Sequence, residues 1–224
     1  MEISVIGAGV AGLTCALALA DRGATIEVID RGGRLGEDSC SWLAGGMLAP
    51  WCELESAEER VAELGVEALS YWAERFPGTV TNGSLAIAQA RDLPELSRFA
   101  LRTRNFTWID GNGVGALEPD LADRFGKALY FPDEAHLDPR AALAALVLRL
   151  AGFGVPVRFG IDADDTPPDK SVVVDCRGIA ARDALGDLRG VKGEMVVVRS
   201  RDIVLHRPIR MLHPRFPLYV VPRG

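Results

Sequence analysis

The hydrophobic pattern of residues 1–30 predicts a βαβ unit. Residues 3–6 form a short apolar run that stops at Gly7, which is typical of a buried parallel strand. Residues 10–22 are rich in Ala and Leu and are followed by Gly23, so they predict a helix that a glycine closes. Residues 24–30 predict a second strand, which ends at Asp30.

The rest of the chain alternates predicted helices with short strands. Residues 57–76 predict a helix whose apolar face is approximated by Val61, Leu64, Leu69 and Trp72. A helix is expected near residues 94–101, and another opens at Asp138 with Pro139 in its first turn. Strands are expected at residues 85–88, 107–110, 128–131, 154–159, 172–175, 191–198 and 217–221. Of these, 172–175 has the pattern of a buried strand, and the polar residues 162–170 predict a solvated loop.

These elements predict an α/β fold. Stretches with the strand and helix pattern of a dinucleotide-binding α/β domain flank an inserted α+β block. After residue 191 the pattern of predicted elements again resembles that of the inserted block. No internal repeat is visible in the sequence.

Composition and charge exclude several classes of protein. The 224 residues are 48% hydrophobic and 25% charged, as in an ordinary globular protein, which excludes disorder and a disulfide-stapled mini-protein. The net charge of −6 argues against nucleic acid or an anionic membrane as partner, and no apolar stretch is long enough to span a bilayer. Glu2 also stands where a secretory signal would be basic. The cysteines have no C-x-x-C spacing, which predicts reduced thiols in the cytoplasm; they are Cys15, Cys40, Cys52 and Cys176.

A glycine motif between the first strand and helix predicts a dinucleotide site. It reads G-x-G-x-x-G and comprises Gly7, Ala8, Gly9, Val10, Ala11 and Gly12. The glycines permit a tight turn, close approach of a pyrophosphate and close helix–strand packing, while the helix N-terminus offers N–H groups to the anion. Asp30 stands where a carboxylate binds ribose hydroxyls, which makes NADP the least favoured dinucleotide. The motif does not separate NAD from FAD, and an NAD-binding module is one alternative.

Two further stretches each allow two interpretations. In residues 39–50, small residues and a glycine pair suit close approach to a flat ligand, and Ser41 could reach a phosphate or ribityl oxygen. A helix start with a glycine kink explains the same residues equally well. Residues 172–178 either support a cofactor from a second turn or form a plain core strand and turn.

The C-terminal residues carry many arginines but no recognisable catalytic set. Arg199, Arg201, Arg207, Arg210, Arg215 and Arg223 could attract a carboxylate, but solvated strand edges are the favoured explanation for most of them. Tyr219 could donate a hydrogen bond in a pocket, although a half-buried strand aromatic is the default. His136, His206 and His213 have neither metal-ligand spacing nor a triad pattern, so a cofactor is expected to carry the chemistry.

Several longer motifs carry a resemblance to a known family. They are G-A-G-V-A-G-L at 7–13, D-R at 30–31, A-G-G-M-L-A-P at 44–50, Y-F-P-D-E-A-H-L-D-P-R at 130–140, D-C-R-G at 175–178, R-G-V-K-G-E-M at 189–195 and H-P-R-F-P-L-Y-V-V-P-R at 213–223. With these motifs the sequence resembles the N-terminal part of the glycine oxidase branch of the D-amino-acid oxidase-like FAD oxidoreductases, which serves thiamine biosynthesis.

The resemblance implies a cofactor and its binding residues. The glycine loop with Asp30 and Arg31 would hold the ADP half of FAD, although Asp30 stands where glutamate is commoner in the family. The pyrophosphate and flavin would be lined by Cys40, Ser41, Gly45, Gly46 and Met47, with Gly178 in a second flavin-side turn. Tyr219 matches the family tyrosine that lies over the substrate. No catalytic side chain and no metal ligand is implied.

The implied architecture is a Rossmann-like FAD-binding domain with an inserted α+β substrate-side domain. The FAD-binding domain would comprise residues 1–80 and 137–190, and the substrate-side antiparallel sheet residues 81–136 and 191–224. Family members continue with the arginine that binds the substrate carboxylate and a final glycine-rich FAD turn, so we expect a C-terminally truncated chain. Its exposed strand edges suggest homo-oligomerisation as a hypothesis.

The implied reaction is oxidation of glycine or a similar small amine to the imine, with O₂ reduced to H₂O₂. Such a hydride transfer needs positioning and exclusion of water more than a protein base. Oxidation of sarcosine or of a D-amino acid is one alternative, and a catalytically incompetent FAD-binding fragment is another.

Overall fold

The computed structural model describes residues 2–165, 168 and 172–223, so the end of the expected 162–170 loop lies mostly outside the described residues. The chain divides into two compact units. The first comprises Met1–Ala44 and Pro139–Val196, and the second Gly45–Asp138 and Val197–Gly224. In the part of the chain that is described, no helix has the length and apolar character needed to cross a membrane.

The described residues form eleven strands and six α-helices. The strands are β1 (Glu2–Ile6), β2 (Thr25–Asp30), β3 (Met47–Leu48), β4 (Ser84–Ala88), β5 (Thr107–Asp110), β6 (Lys127–Phe131), β7 (Ala135–His136), β8 (Val157–Phe159), β9 (Val172–Asp175), β10 (Ile209–Leu212) and β11 (Leu218–Val220). The helices are α1 (Val10–Ala20), α2 (Pro50–Glu53), α3 (Glu59–Arg75), α4 (Leu93–Arg102), α5 (Gly111–Leu117) and α6 (Pro139–Gly152). Short 3₁₀ helices occupy Cys40–Leu43, Ala90–Asp92, Pro119–Leu121 and Gly178–Asp183.

The first unit is built on a parallel sheet with the strand order β8-β2-β1-β9. In the β1–β2 register Ile3 lies opposite Ile26 and Val5 opposite Val28, and all four side chains are buried. Helix α1 packs beside α6 and ends at Ala20, two residues before the predicted limit, and Gly23 adopts a φ of +77° in the turn that follows. The α/β fold class and the N-terminal βαβ unit are thereby confirmed.

Strand β9 is present but is not the buried strand that its sequence suggested. Val172 and Val173 are 39% and 47% exposed, because β9 is the edge strand beside β1. Parallel pairing to β1 on one side leaves its other edge and part of its faces open.

The second unit contains a five-stranded mixed sheet with the order β11-β10-β4-β6-β5. Strand β4 is central and wholly buried, pairing antiparallel with β6 and parallel with β10. Phe99 of α4 meets Phe131 of β6 edge to face, with 6.2 Å between ring centroids. A separate two-stranded sheet pairs Met47 of β3 with His136 of β7. This mixed α+β texture matches the predicted inserted block.

Helix α3 forms where predicted, but only part of its predicted apolar face is buried. Trp72 is buried as predicted, whereas Val61 and Leu64 are 51% and 48% exposed and the small residue Ala62 is buried instead. The helix approaches α2 closely at Gly65, where an added Cβ would come within 2.8 Å of the Pro50 Cβ. Close packing therefore selects small residues, which a search for large apolar side chains overlooks.

Residues 191–198 do not form the predicted strand. Val191 is 95% exposed and Val196 is 79% exposed, and the segment has no strand assignment. β-Branched residues favour a strand only when a neighbouring strand offers hydrogen-bonding partners. The sequence analysis missed β10, which takes the place beside β4, whereas the predicted strand at 217–221 is present as β11.

The boundaries between the units differ from the expected domain limits chiefly at one long stretch, and by a few residues at 137–138, which lie in the second unit, and at 191–196, which lie in the first. Residues 45–80, expected with the first unit, lie in the second. The reason is local: Met47 pairs with His136 through β3 and β7, and α3 packs against α2 and β3. Pro77 follows the end of helix α3 and lies within the second unit.

Candidate functional site

A cleft opens in the first unit at the edge where its four parallel strands end. Because parallel strands place their carboxyl ends at one edge, the segments after β1, β2, β8 and β9 converge there. The cleft is lined by Ile6, Gly7, Gly9, Val10, Ala11, Asp30, Arg31, Asp38, Ser39, Cys40, Ser41, Ile161, Asp162, Ala163, Cys176, Arg177, Gly178, Ile179 and Ala180. The location is the usual one for a ligand in an open α/β sheet.

The glycine motif turns the chain from β1 into α1 in very little space. Gly7 has a φ of +106°, and an added Cβ would lie 2.5 Å from the carbonyl oxygen of Cys176. A Cβ on Gly12 would lie 1.8 Å from the Gly7 carbonyl oxygen. Both positions therefore require glycine. Gly7 requires it because of its positive φ and its contact with Cys176, and Gly12 requires it because α1 packs closely against the turn.

The N-terminus of α1 faces the cleft through exposed residues. Val10 and Ala11 are exposed, and the Val10 N–H donates to Ser41 Oγ at 3.0 Å. A Cβ on Gly9 would come within 3.3 Å of Ser39 Oγ, so a side chain there would fill space between the helix end and the serines. Ser41 Oγ accepts from Val10 and keeps its own proton to donate. These donors and this open cradle fit a diphosphate.

Asp30 is held in place by the glycine loop itself. One carboxylate oxygen accepts the Ala8 N–H at 2.6 Å and the other accepts the Gly32 N–H at 2.8 Å. A carboxylate has about four acceptor positions, so each oxygen can still accept from a ligand hydroxyl. Asp30 thus links the ends of β1 and β2 and presents its acceptors to the cleft.

The remaining residues expected at the cofactor are distributed over both units. Arg31, Cys40 and Gly178 line the cleft, and Gly178 has a φ of +62° with open space beside it. Ala8 and Gly12 are buried behind the cleft wall, where they shape the turn. Gly45, Gly46 and Met47 belong to the second unit; the Gly46 carbonyl there accepts the Leu137 N–H at 2.9 Å, and Met47 lies in β3.

The cleft also contains Ile161 to Ala163, which sequence reasoning missed, and Cys176 and Arg177, for whose turn it left a cofactor role open. Cys176 and Arg177 follow β9, and Ile161 to Ala163 follow β8. The signal that could have found them is positional, because every segment after a strand of a parallel sheet arrives at the same edge. The predicted 162–170 loop is thus partly a cleft wall.

Arg177 is locked by two carboxylates and does not offer a free charge. Its guanidinium donates to Asp175 at 2.8 Å and to Asp183 at 3.0 Å. Hydrogen bonds from Arg177 lower the pKa of Asp175, and burial raises the pKa of the neighbouring Cys176 thiol. A neutral Cys176 beside a neutralised arginine makes this wall of the cleft polar but not strongly charged.

Tyr219 lies in the second unit on the edge strand β11, where it is 45% exposed. Its register partner is Arg210 of β10, whose guanidinium carbon lies 4.7 Å from the Tyr219 ring centroid. Burial raises the pKa of the Tyr219 phenol; the Arg210 charge opposes this effect, and Glu53 and Glu55 reinforce it.

Arg210 is buried and Arg207 is mostly covered, which corrects the solvated-edge interpretation for these two C-terminal arginines. Arg210 is 4% exposed and bonds Glu55 at 2.8 Å. The Arg207 side chain is 11% exposed, and its Nε donates to Glu118 at 2.9 Å. Glu118 is fully buried and also accepts the His206 and Arg207 N–H groups. The sequence gives no sign of this pairing, because the partners are 89 residues apart.

A second buried carboxyl, Glu134, caps the start of α2. It accepts the Cys52 N–H at 2.8 Å and the Ser84 hydroxyl. Burial raises the pKa of Glu134 against the opposing effect of these hydrogen bonds, and burial likewise raises the pKa of the Cys52 thiol. Cys52 is therefore an inert, protonated core thiol.

Comparison with known proteins places the chain among flavoenzymes. A model of the DAO family, described as FAD dependent oxidoreductase, matches residues 2–224. A Rhizobium etli protein provisionally named thiamine biosynthesis oxidoreductase ThiO is 49% identical over 224 residues, covering 100% of this chain and 68% of that protein. The D-amino-acid oxidase of Streptomyces coelicolor is 28% identical over 211 residues, covering 90% of this chain and 60% of the oxidase.

Solved structures share the fold. Glycine oxidase from Bacillus cereus superposes with a TM-score of 0.76 at 23% identity, covering 100% of this chain and 68% of that one. For glycine oxidase from Geobacillus kaustophilus the TM-score is 0.64 at 22% identity, with 80% of this chain and 56% of that chain covered. Since the family model spans all but the first residue, the chain belongs to the family of FAD-dependent oxidoreductases.

Proposed function

We propose that the chain is the FAD-binding part of an oxidase that acts on glycine or a similar small amine in thiamine biosynthesis. The observation that carries the proposal is the first unit's cleft, where the glycine turn, the α1 N-terminus and Asp30 present a diphosphate cradle and a ribose acceptor together. The whole-length similarity to the Rhizobium protein supports the pathway.

We assign the cofactor's parts to particular residues. The diphosphate would bind at Gly7, Gly9 and the α1 N-terminus, where the Ser41 hydroxyl would donate a hydrogen bond to it. The adenosine ribose would bind to Asp30. In the first unit we assign the turn at Gly178 to the flavin. In the second unit we assign Gly45, Gly46 and Met47 to cofactor binding and Tyr219 to substrate binding. In this assignment the first unit is the FAD-binding domain, and the second is the substrate-side domain.

When bound, FAD would supply the redox chemistry, the oxidation of the amine to the imine with O₂ as the final electron acceptor. The chain's own contribution is binding and orientation. The helix N-terminus offsets phosphate charge, Asp30 selects against a 2′-phosphate, and the Tyr219 phenol is kept protonated by its raised pKa so that it can donate a hydrogen bond.

The competing substrate class is a D-amino acid, which the similarity to the Streptomyces D-amino-acid oxidase favours; sarcosine is a further candidate. The chain spans 60–68% of the lengths of the two relatives compared, so an FAD-binding fragment without turnover is the third alternative.

The test uses the purified chain loaded with FAD and freed of excess. We expect glycine to bleach the flavin absorbance without oxygen and to release H₂O₂ in air, and Tyr219→Phe to raise the glycine KM. Stronger bleaching by D-alanine or sarcosine would transfer the assignment to that substrate. If the chain retains flavin but no amine bleaches it, the proposed oxidase activity is wrong. The chain is then an FAD-binding fragment without turnover.

We further propose a cytoplasmic location and self-association. The four cysteines are free in the structure, which suits a reducing compartment. The edge strand β11 exposes Leu218, Tyr219 and Val220, an apolar edge of the kind that pairs with other chains. A monomeric mass at all concentrations in light scattering would contradict self-association.

A further inference from the structure

Arg210 lies between two aromatic rings in the second unit. Its guanidinium carbon is 4.8 Å from the Phe99 ring centroid and 4.7 Å from that of Tyr219. With only 4% of its surface exposed, the arginine is a buried cation flanked by ring faces. Such cation–π contacts are stronger when the cation is desolvated.

The guanidinium is fixed by α2 and the residues after it. It donates from Nη2 to Glu55 at 2.8 Å and from Nη1 to the Cys52 carbonyl at 3.2 Å, and Nη1 lies 3.5 Å from a Glu53 carboxylate oxygen. The Cys52 N–H is in turn held by the buried Glu134. A planar group bonded at both ends cannot rotate without losing a charge-assisted hydrogen bond, so the ring contacts have a rigid base.

Tyr219, by contrast, has little support from its own strand. Strand β11 has three residues, all exposed, and pairs on one side only, with β10. In the antiparallel register Tyr219 lies directly opposite Arg210, where side chains of paired strands meet. The fixed cation is therefore placed to orient the tyrosine ring.

We propose that Arg210 is a positioning residue for Tyr219: clamped by Glu53, Glu55 and the Cys52 carbonyl, it holds the phenol in the orientation that meets the amine substrate. The substrate role of Tyr219 rests on the proposed function. The orientation of the ring by Arg210 does not, because it follows from contacts within the second unit.

Arginine is required for this arrangement because of its planar face. Lysine could supply a charge near one ring, but it could not bond the Glu55 carboxylate and the Cys52 carbonyl from two ends while stacking on both rings. The two glutamates also compensate the arginine charge, so Arg210 acts on the tyrosine ring and is not free to bind a substrate carboxylate by itself.

The charges predict how the phenol titrates when each partner is changed. Arg210 lowers the pKa of Tyr219, whereas Glu53 and Glu55 raise it. Removal of the arginine with the glutamates in place must shift the phenol titration upward. Neutralising a glutamate must shift it downward. A purely structural arginine, distant from the phenol, would produce neither change.

The experiment is an ultraviolet titration of the tyrosines in the full chain. The sequence has three tyrosines, and Tyr219→Phe identifies the phase that belongs to Tyr219. We expect Arg210→Met to move that phase upward, Arg210→Lys to move it upward by less, and Glu55→Gln to move it downward. Arg98→Met is the matched control, since Arg98 is a surface arginine paired with Glu95 in α4.

The proposal is wrong if Arg98→Met shifts the Tyr219 titration phase as far as Arg210→Met does. It is also wrong if neither Arg210→Met nor Glu55→Gln shifts that phase. If Arg210→Met fails to fold, Glu55→Gln and Glu53→Gln provide the same test with the opposite sign. In the FAD-loaded chain we expect Arg210→Met to raise the KM for glycine several-fold. Absence of any amine turnover would refute the proposed function but leave the titration result standing.

Discussion

The two units build their polar sites by different means. In the first unit the cleft is made mainly by main chain: the glycine turn, the exposed start of α1 and the segments that follow β8 and β9. In the second unit charged side chains from distant parts of the sequence form buried or half-buried pairs, as with Arg207 and Glu118 or Arg210 and Glu55. The first kind of site depends on where a Cβ is absent, and the second depends on which side chains meet.

This difference determines how each region should respond to substitution. A site made of backbone fails when any side chain is added, whatever its chemistry. A site made of buried charge fails when one partner is removed, because the remaining charge is left without compensation. Substitutions at Gly12, Arg207, Ser41 and His136 should therefore have progressively smaller effects.

The largest effect is expected for Gly12→Val. The new Cβ would lie 1.8 Å from the Gly7 carbonyl oxygen, so α1 must move away from the turn. We expect loss of FAD binding and a fall in the free energy of unfolding of about 3 kcal/mol or more, measured by urea denaturation. Gly152→Ala is the control, since nothing lies within 4 Å of its added Cβ. A Gly12→Val protein that retained FAD would refute the backbone account of the cleft.

Arg207→Met should have the next largest effect. It leaves Glu118, which is fully buried, with only the neighbouring N–H groups and the His206 ring as partners. Breaking a buried pair in this way costs about 3–5 kcal/mol. Arg60→Met removes an exposed pair with Glu63 and should cost less than about 1 kcal/mol by the same denaturation measurement. Equal effects of the two substitutions would contradict the contrast between buried and surface charge.

Ser41→Ala sharpens the comparison, since it removes a side chain from the backbone site. The α1 helix loses the acceptor of its Val10 N–H, a capping hydrogen bond worth about 1 kcal/mol. We expect a small loss of stability and a several-fold rise in the dissociation constant for FAD, measured by fluorescence titration. No change in either quantity would mean that the cradle consists of main chain alone.

The smallest effect is expected at a single pH-sensitive group, His136. Burial lowers the pKa of this imidazole from its ordinary value of 6.5, and Arg207 adds to the effect while Glu118 opposes it. The unfolded chain therefore takes up the proton first as the pH falls below 6.5, and stability decreases toward the folded-state pKa. We expect His136→Phe to lose less stability than the parent chain between pH 7 and pH 5. If the urea midpoints of His136→Phe and of the parent chain change equally with pH, His136 is not the group that makes stability depend on pH.

The same contrast explains what the sequence could and could not predict. The elements β1, α1 and β2 follow one another in the sequence, so their pattern depends on nearby residues. The spacing of the glycines between β1 and α1 indicates a steric requirement that can be recognised in the sequence. Gly7, Asp30 and Ser41 are therefore found together in the cleft, as expected.

Features that depend on long-range partners were missed or misplaced. Residues 191–198 look like a strand but have no partner strand, and β9 looks buried but lies at an edge. The sequence suggests that Arg207 and Arg210 are surface charges, whereas in the folded chain they pair with Glu118 and Glu55. Periodicity describes one element at a time, whereas burial and pairing are properties of the assembled sheet.

The central claim is that the first unit's cleft holds FAD. The most direct test is the visible absorption spectrum of the purified chain after addition of FAD and removal of the excess, with NADH binding measured in parallel. The account predicts a flavin spectrum that stays with the chain, is lost in Gly12→Val and is kept in Gly152→Ala. A colourless chain that binds NADH would contradict it.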